Sequence, residues 1–390
     1  MMASPPEPPH INTYNLSNAS SSTPAIHAAL SHLRNAKYFK TALTLYRRLQ
    51  FGRFLPASHL LTNLDLSAPN FTLADDEPWC YAFVDRSCRP ETEVWFFGSW
   101  EVDDKNKWTD APTAGAFPDA PEDEAIEALL KSLILTIDSL GIPQSLHQDV
   151  LDAKEAELAQ QNSIRSSFAT AAQTNGIQTS NPKSKHAIPS DLERRTALGL
   201  NPQNMLWGAI HAATVPHLQR LGVLRGELVA NHLFLFDVDA ISATEQQLPE
   251  GLRWGRLEAR HFDLVKTRTS IARQSRTLAV LPNLAIFPAQ PADADPVAWA
   301  FIGLDSSLTT LHTEPDYRRK GLAGMLTSKL FREGMDRFWE EDQKEMSKWA
   351  HGVVVEGNEA SMGMCRKLGG EERKGMIYWL RIDLDKLRRV

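Results

Sequence analysis

The chain has 390 residues, enough for about two domains of ordinary size with a sizeable core. A hydrophobic fraction of 42% and a charged fraction of 23% fit a globular protein, and a formal net charge of -6 argues against a general attraction to nucleic acid. Cys80, Cys88 and Cys365 lack metal-type spacing and no window nears the ~18 apolar residues of a membrane span, so no metal, disulfide framework or membrane segment is expected.

In chain order, residues 1–29 are rich in Pro and Ser, read as disordered, and lack the basic-then-apolar pattern of a secretory signal. The expected compartment is the cytoplasm, with the nucleus left open. Residues 30–150 form a first α/β region. Leu43, Tyr46 and Leu49 have helical spacing, which Pro56 ends. "PWCYAFVD" and "EVWFFGSWE" read as a hairpin, and "EAIEALLKSLILTIDSLG" as a helix stopped by Gly141. Residues 151–198 read as a polar helix followed by a Ser-, Thr-, Asn- and Pro-rich linker. A C-terminal domain is expected over 199–390, opening with a helix in "NMLWGAIHAATVPHLQRLGVL" and a strand in "HLFLFDVDA". No internal repeat is apparent.

Further on, "KTRTSIARQSRTLAVLP" carries Arg268, Arg273 and Arg276, which read as a basic helix face; contact with a phosphate or an acidic substrate is the alternative. "VAWAFIGLD" and "LTTLHTE" form a hairpin around "DSS", and the second strand runs into "TEPDYRRKGLAGMLTSKL". Leu322, Met325, Leu326 and Leu330 share one helical face, so Arg318–Gly321 lies at a strand-to-helix turn. The first N–H groups of such a helix have no partner, and its dipole adds about half a positive charge there. Gly321, Ala323 and Gly324 let a ligand approach the backbone, and Arg318, Arg319 and Lys320 make the mouth cationic. A diphosphate suits this turn, although neither a P-loop nor G-x-G-x-x-G is present. "HGVVVEGN" then reads as a strand, Asn358 as a cap for the helix "EASMGMCRKLGG", and "MIYWLRI" as a last strand.

The order of these elements, with Arg318–Ala323 matching Arg-x-x-Gly-x-Ala and "NEASMGMCRKLGG" resembling a second motif, is similar to the GNAT acyltransferase superfamily. The core of the resemblance spans 296–382, and it is most like the FR47-like, glycine N-acyltransferase-related subgroup with fungal members. It implies an α/β (α+β) fold with a mixed, mainly antiparallel splayed sheet, and an N-terminal half that is a degenerate copy. It also implies acetyl-CoA or another acyl-CoA as cosubstrate, without metal, and a small-molecule amine or amino acid as acceptor. By resemblance, the amides of Arg319, Lys320, Gly321, Leu322 and Ala323 hold the pyrophosphate. Leu311, His312 and Thr313 would pair with the pantetheine arm, and Asn358 would lie near it.

Direct transfer to an amine needs a base and a proton for the leaving thiolate. The family's frequent acid is a tyrosine in the second motif, and this chain has Cys365 at that position. Candidate catalytic residues are therefore His312 as base, with Asp305 or Glu314 as alternatives, and Cys365, Tyr378 or Tyr317 as acid. The departure at Cys365 leaves open a non-catalytic acyl-CoA-binding protein, and a protein N-acetyltransferase is a third reading. Oligomeric state is not indicated.

Overall fold

A computed structural model describes residues 8–17, 24–67, 77–102, 123–146, 199, 201–241, 247–269, 271, 273–338, 348–373 and 375–389. The expected helix and linker at 151–198 lie outside the described residues, as does most of the polar run "EEDQKEMSK".

The strands are β1 (Asn12–Asn15), β2 (Ser58–Thr62), β3 (Cys80–Asp85), β4 (Val94–Gly98), β5 (Asn204–His211), β6 (Leu224–Asp237) and β7 (Leu252–Gly255). There follow β8 (Asn283–Pro288), β9 (Ala298–Ile302), β10 (Ser307–Thr313), β11 (Trp349–Val355), β12 (Glu371–Glu372) and β13 (Ile377–Asp383). The helices are α1 (Pro24–Leu33), α2 (Leu43–Gln50), α3 (Glu124–Ser139), α4 (Val215–Arg220), α5 (Phe262–Thr267), α6 (Ser275–Leu278), α7 (Leu322–Gly334), α8 (Glu359–Lys367) and α9 (Leu384–Leu387).

The thirteen strands among the described residues join one sheet, in the order β1-β2-β3-β4-β5-β13-β6-β11-β10-β9-β8-β7, with β12 beside β6. The order is a palindrome. β1–β5 and β7–β11 run inward from the two edges, and β13 and β6 meet at the centre as an antiparallel pair. Helices repeat at the same places: α1 and α2 match α5 and α6, α3 matches α7, and α4 matches α8. Each half therefore lends its last strand to the other. β13 completes the first half by pairing with β5, and β6 completes the second by pairing with β11 along its whole length.

Alternation along β6 shows how the layers form. Ala230, Phe234 and Phe236 point to the face covered by α3 and α7, while Leu233 and Leu235 point to the face covered by α1 and α2. β9 does the same at the other end: Ala298, Ala300 and Ile302 pack under α7, and Trp299 and Phe301 under α5 and α6.

Two expectations change. Residues 12–15 and 24–33, in or at the edge of the stretch read as disordered, form β1 and α1; Ile26, Ala29, Leu30 and Leu33 give α1 a buried stripe. The segment read as a helix from Asn204 is first a strand, β5, and only Val215–Arg220 is helical. β5 lies between β4 and β13 with both faces covered, so its apolar residues do not alternate cleanly. Among the described residues no helix is long and apolar enough to cross a membrane.

Candidate active site

β10 and β11 run parallel but share only two register pairs, Ser307 with His351 and Leu308 with Gly352. Beyond them each strand follows its other neighbour: β11 stays on β6, and β10 stays on β9 as far as Thr313. A wedge opens between the strands and exposes a backbone edge. One extra residue in β10 between Thr309 and His312 makes a bulge, which adds local twist, and Thr310 sits there at φ 55.

From the end of β10 a short turn at Pro315–Tyr317 leads through Arg318 to Gly321, the N-cap of α7. Arg318 Nε donates to the Thr313 carbonyl at 3.0 Å, and Lys320 Nζ lies 4.9 Å from the Tyr317 ring centroid. Arg319 and Gly321 have φ of 62 and 77, and a Cβ added to Gly321 would meet nothing within 4 Å. No side chain caps α7, and its first turn holds no acid. Its first N–H groups therefore point into open, cationic space at the wedge, a site suited to a diphosphate.

The equivalent helix of the first half behaves in the opposite way. Asp123 caps α3 by accepting from the N–H groups of Ala125 and Ile126, both at 3.1 Å, and Glu124 and Glu127 lie in the first turn. A carboxylate already occupies that anion position. The two halves share one architecture, and only the second leaves it open for a ligand.

Three of the candidate proton carriers, His312, Cys365 and Tyr378, fall in three different places. His312 stacks on Trp299, with ring centroids 4.7 Å apart at 27°, on the α5–α6 face. Its Nε2 is 3.6 Å from Glu314 Oε1, which also accepts from Arg268 Nε at 2.9 Å. Burial lowers the His312 imidazole below its ordinary value, with Glu314 opposing, so the ring is neutral at pH 7. Burial works to raise the Glu314 carboxyl, but Arg268 and His312 together outweigh it and hold the group below the usual range.

Cys365 lies on the opposite face, packed with Phe236 and α7, 3.9 Å from where a Cβ on Gly352 would stand. Burial pushes its thiol up to about 11. Tyr378 belongs to a separate cluster with Trp207, Ile210 and Ala230 under α3, and burial pushes its hydroxyl up to about 12. Asn358 is the N-cap of α8, and its side chain accepts from Ser361 N at 3.2 Å. Leu311 joins the cluster of Leu322, Met325 and Cys365, so the strand edge and the helix start share one core.

Two residues bear on the wedge: Arg273, which the sequence offered as a possible phosphate or acidic-substrate contact, and Glu91, which carried no signal in the sequence as a site residue. Arg273 reaches the hydroxyls of Thr309 and Thr310, and Glu91, 183 residues before Gln274, reaches α6. Contacts at such separation leave no local pattern.

The model of the "Acyl-CoA N-acyltransferase verG N-terminal domain" matches residues 11–238, more than half of the chain, and that of the "FR47-like protein" matches 292–380. The chain belongs to the verG family of acyl-CoA N-acyltransferases. As an FR47-like member of the GNAT superfamily, it has that fold in both halves of its sheet. No curated protein matches it significantly.

Among solved structures, a Drosophila protein is 12% identical, covers 96% of this chain and 99% of its own, and superposes with a TM-score of 0.52. That likeness is one of fold alone. A tandem GNAT protein from the clavulanic acid biosynthesis pathway is 10% identical over 95% of this chain and 98% of its own, with a TM-score of 0.43. A GCN5-related N-acetyltransferase from Kribbella flavida is 14% identical over 46% of this chain and 67% of its own, with a TM-score of 0.32.

Proposed function

We propose that this verG-family acyltransferase moves an acetyl group from acetyl-CoA directly to the amine of a small molecule or amino acid, and that the second half carries the reaction. The observation behind this reading is the uncapped, cationic start of α7 at the mouth of the β10–β11 wedge, beside an α3 that caps itself with Asp123. Acetyl-CoA, when bound, supplies the activated acyl group and the thiolate leaving group. The amides of Arg319–Gly324 and the α7 dipole bind its diphosphate, and Arg318 and Lys320 add charge at the rim. The free edge at Leu311–Thr313 pairs with the pantetheine amides, and Asn358 stands at the start of α8.

His312, neutral and held by Trp299, accepts the amine proton, with Glu314 beside it to stabilise the imidazolium. Neither Cys365 nor Tyr378 suits the role of acid. A thiol near 11 protonates a thiolate of ordinary basicity, near 8.5, only uphill, and Tyr378 packs in a different cluster. The leaving thiolate then takes its proton from solvent or from the imidazolium of His312. The unpaired Cys80, Cys88 and Cys365 fit a reducing compartment, and we place the protein in the cytoplasm.

The poor placement of Cys365 and Tyr378 also motivates a second reading, a coenzyme-binding protein without transfer. Calorimetry with acetyl-CoA and with CoA, followed by thiol release across a panel of amines and amino acids, separates the two. Binding with amine-dependent thiol release is the expected result. Binding without release on any amine favours the second reading, and a folded protein that binds neither ligand refutes both.

A further inference from the structure

Between α5 and β8, the strip Arg273–Thr277 joins the two halves at the wedge. α6 has no side-chain cap from its own Gln274. Glu91, on the loop between β3 and β4 of the first half, supplies one. It accepts from Gln274 N at 3.3 Å and from the Thr277 hydroxyl at 2.6 Å. Arg273, the next residue back, turns to the other side. Its Nη2 donates to Thr309 Oγ1 at 2.6 Å and its Nε to Thr310 Oγ1 at 3.3 Å.

These two threonines form the start of the β10 bulge, and Thr310 holds a left-handed backbone that a β-branched residue adopts only at a cost. The guanidinium is a rigid fork, so two bonds to neighbouring hydroxyls fix both side chains at once. Directly after the bulge come Leu311, His312 and Thr313. An unbroken path of contacts thus runs from Glu91 through the start of α6 and Arg273 to the strand edge at the wedge. The residue after Glu91, Thr92, accepts from Trp379 Nε1 of β13 at 3.2 Å, which ties the same loop to the centre of the sheet.

We infer that Arg273 is a positioning residue for acyl transfer, holding the bulge that aims the Leu311–Thr313 edge at the acyl end of the coenzyme, with Glu91 bringing the first half into that support. The inference rests on the coenzyme assignment above. It gives the first half a role in the reaction without a ligand of its own.

The test compares two ligands by calorimetry, acetyl-CoA and adenosine 3′-phosphate 5′-diphosphate, which carries the diphosphate but nothing that reaches the bulge. Wild type, Arg273→Lys, Arg273→Ala, Glu91→Ala and the Arg273→Ala/Glu91→Ala double variant are measured, with thermal unfolding alongside. Both Arg273 variants are expected to bind acetyl-CoA about tenfold more weakly while binding the nucleotide as wild type does. Arg273→Lys keeps the charge and is the milder change, so it reports even if Arg273→Ala folds poorly. Glu91→Ala should shift in the same direction, and the double variant should lose less than the sum of the two.

Equal losses for both ligands mean a general structural role and overturn the inference, as does unchanged acetyl-CoA binding in both Arg273 variants. Strict additivity overturns the part assigned to Glu91. A folded wild type that binds neither ligand fails the coenzyme assignment itself, and the inference with it.

Discussion

Gly321→Asp separates the backbone at the start of α7 from the field it provides. Gly321 has φ 77 and open space where a Cβ would go, so a side chain meets no neighbour. The cost to folding is conformational: an alanine in this region loses about 1–2 kcal/mol, whereas Asp tolerates it better and gains about 0.3–1 kcal/mol from the helix dipole. Gly321→Asp should therefore be at least as stable as Gly321→Ala. Binding should run the other way. A carboxylate about 5 Å from a diphosphate bearing two charges is repelled by about 1.7 kcal/mol at the dielectric of water, and about twice that at half the dielectric. Coenzyme affinity should fall roughly 15- to 250-fold in Gly321→Asp and little in Gly321→Ala. Calorimetry with CoA gives the affinities, and a thermal melt the stabilities. A folded Gly321→Asp that binds CoA like the wild type would refute the assignment of the α7 start as the diphosphate site.

Three further outcomes follow from the same structure. His312→Gln should lower the transfer rate about 10²–10⁴-fold and abolish the acid limb of the pH–rate profile. That limb should lie below the ordinary histidine value, because burial lowers this imidazole; a limb unchanged in the variant assigns the base elsewhere. Buried Glu101 accepts from the Thr214 hydroxyl, and burial raises its carboxyl to about 8, so the folded state holds a proton that the unfolded chain releases near 4.5. Its stabilising share is complete below 4.5 and is lost as pH rises through about 8, so Glu101→Gln should raise the melting temperature relative to wild type at pH 9 and not at pH 4. An equal difference at both pH values would count against that. Finally, a chain ending at residue 376 should fail to form the first half, since Leu380 and Ile382 of β13 are buried in the first half's core. Protease-resistant fragments from the first half of that truncated chain would show that β13 is dispensable.

Much of the second half is legible in its sequence because its signals are local. The spacing of Leu322, Met325, Leu326 and Leu330 marks α7, and the two strands around "DSS" appear as β9 and β10. Asn358 caps α8 as its position indicates. β5 was not legible, since a strand buried on both faces lacks the alternation that identifies one. β1, "NTYN", is a polar edge strand identified only by its pairing with β2.

The sequence by itself determined where the proposed diphosphate site lies: an uncapped glycine, two small residues and three cations in succession need no distant partner to suit an anion. Whether those positions open onto a wedge was decided by tertiary structure, because β10 and β11 part only where each keeps its other neighbour. The repeat was decided there too. Two halves with no apparent sequence similarity share a strand order, and they exchange β6 and β13 through pairings between residues far apart in the chain, such as Val355 with Asn231 and Ile377 with His211. Backbone hydrogen bonds carry that exchange and are indifferent to side-chain identity, so the sequence shows no trace of it. Distance likewise hides Glu91, whose contacts with Gln274 and Thr277 lie 183 and 186 positions along the chain.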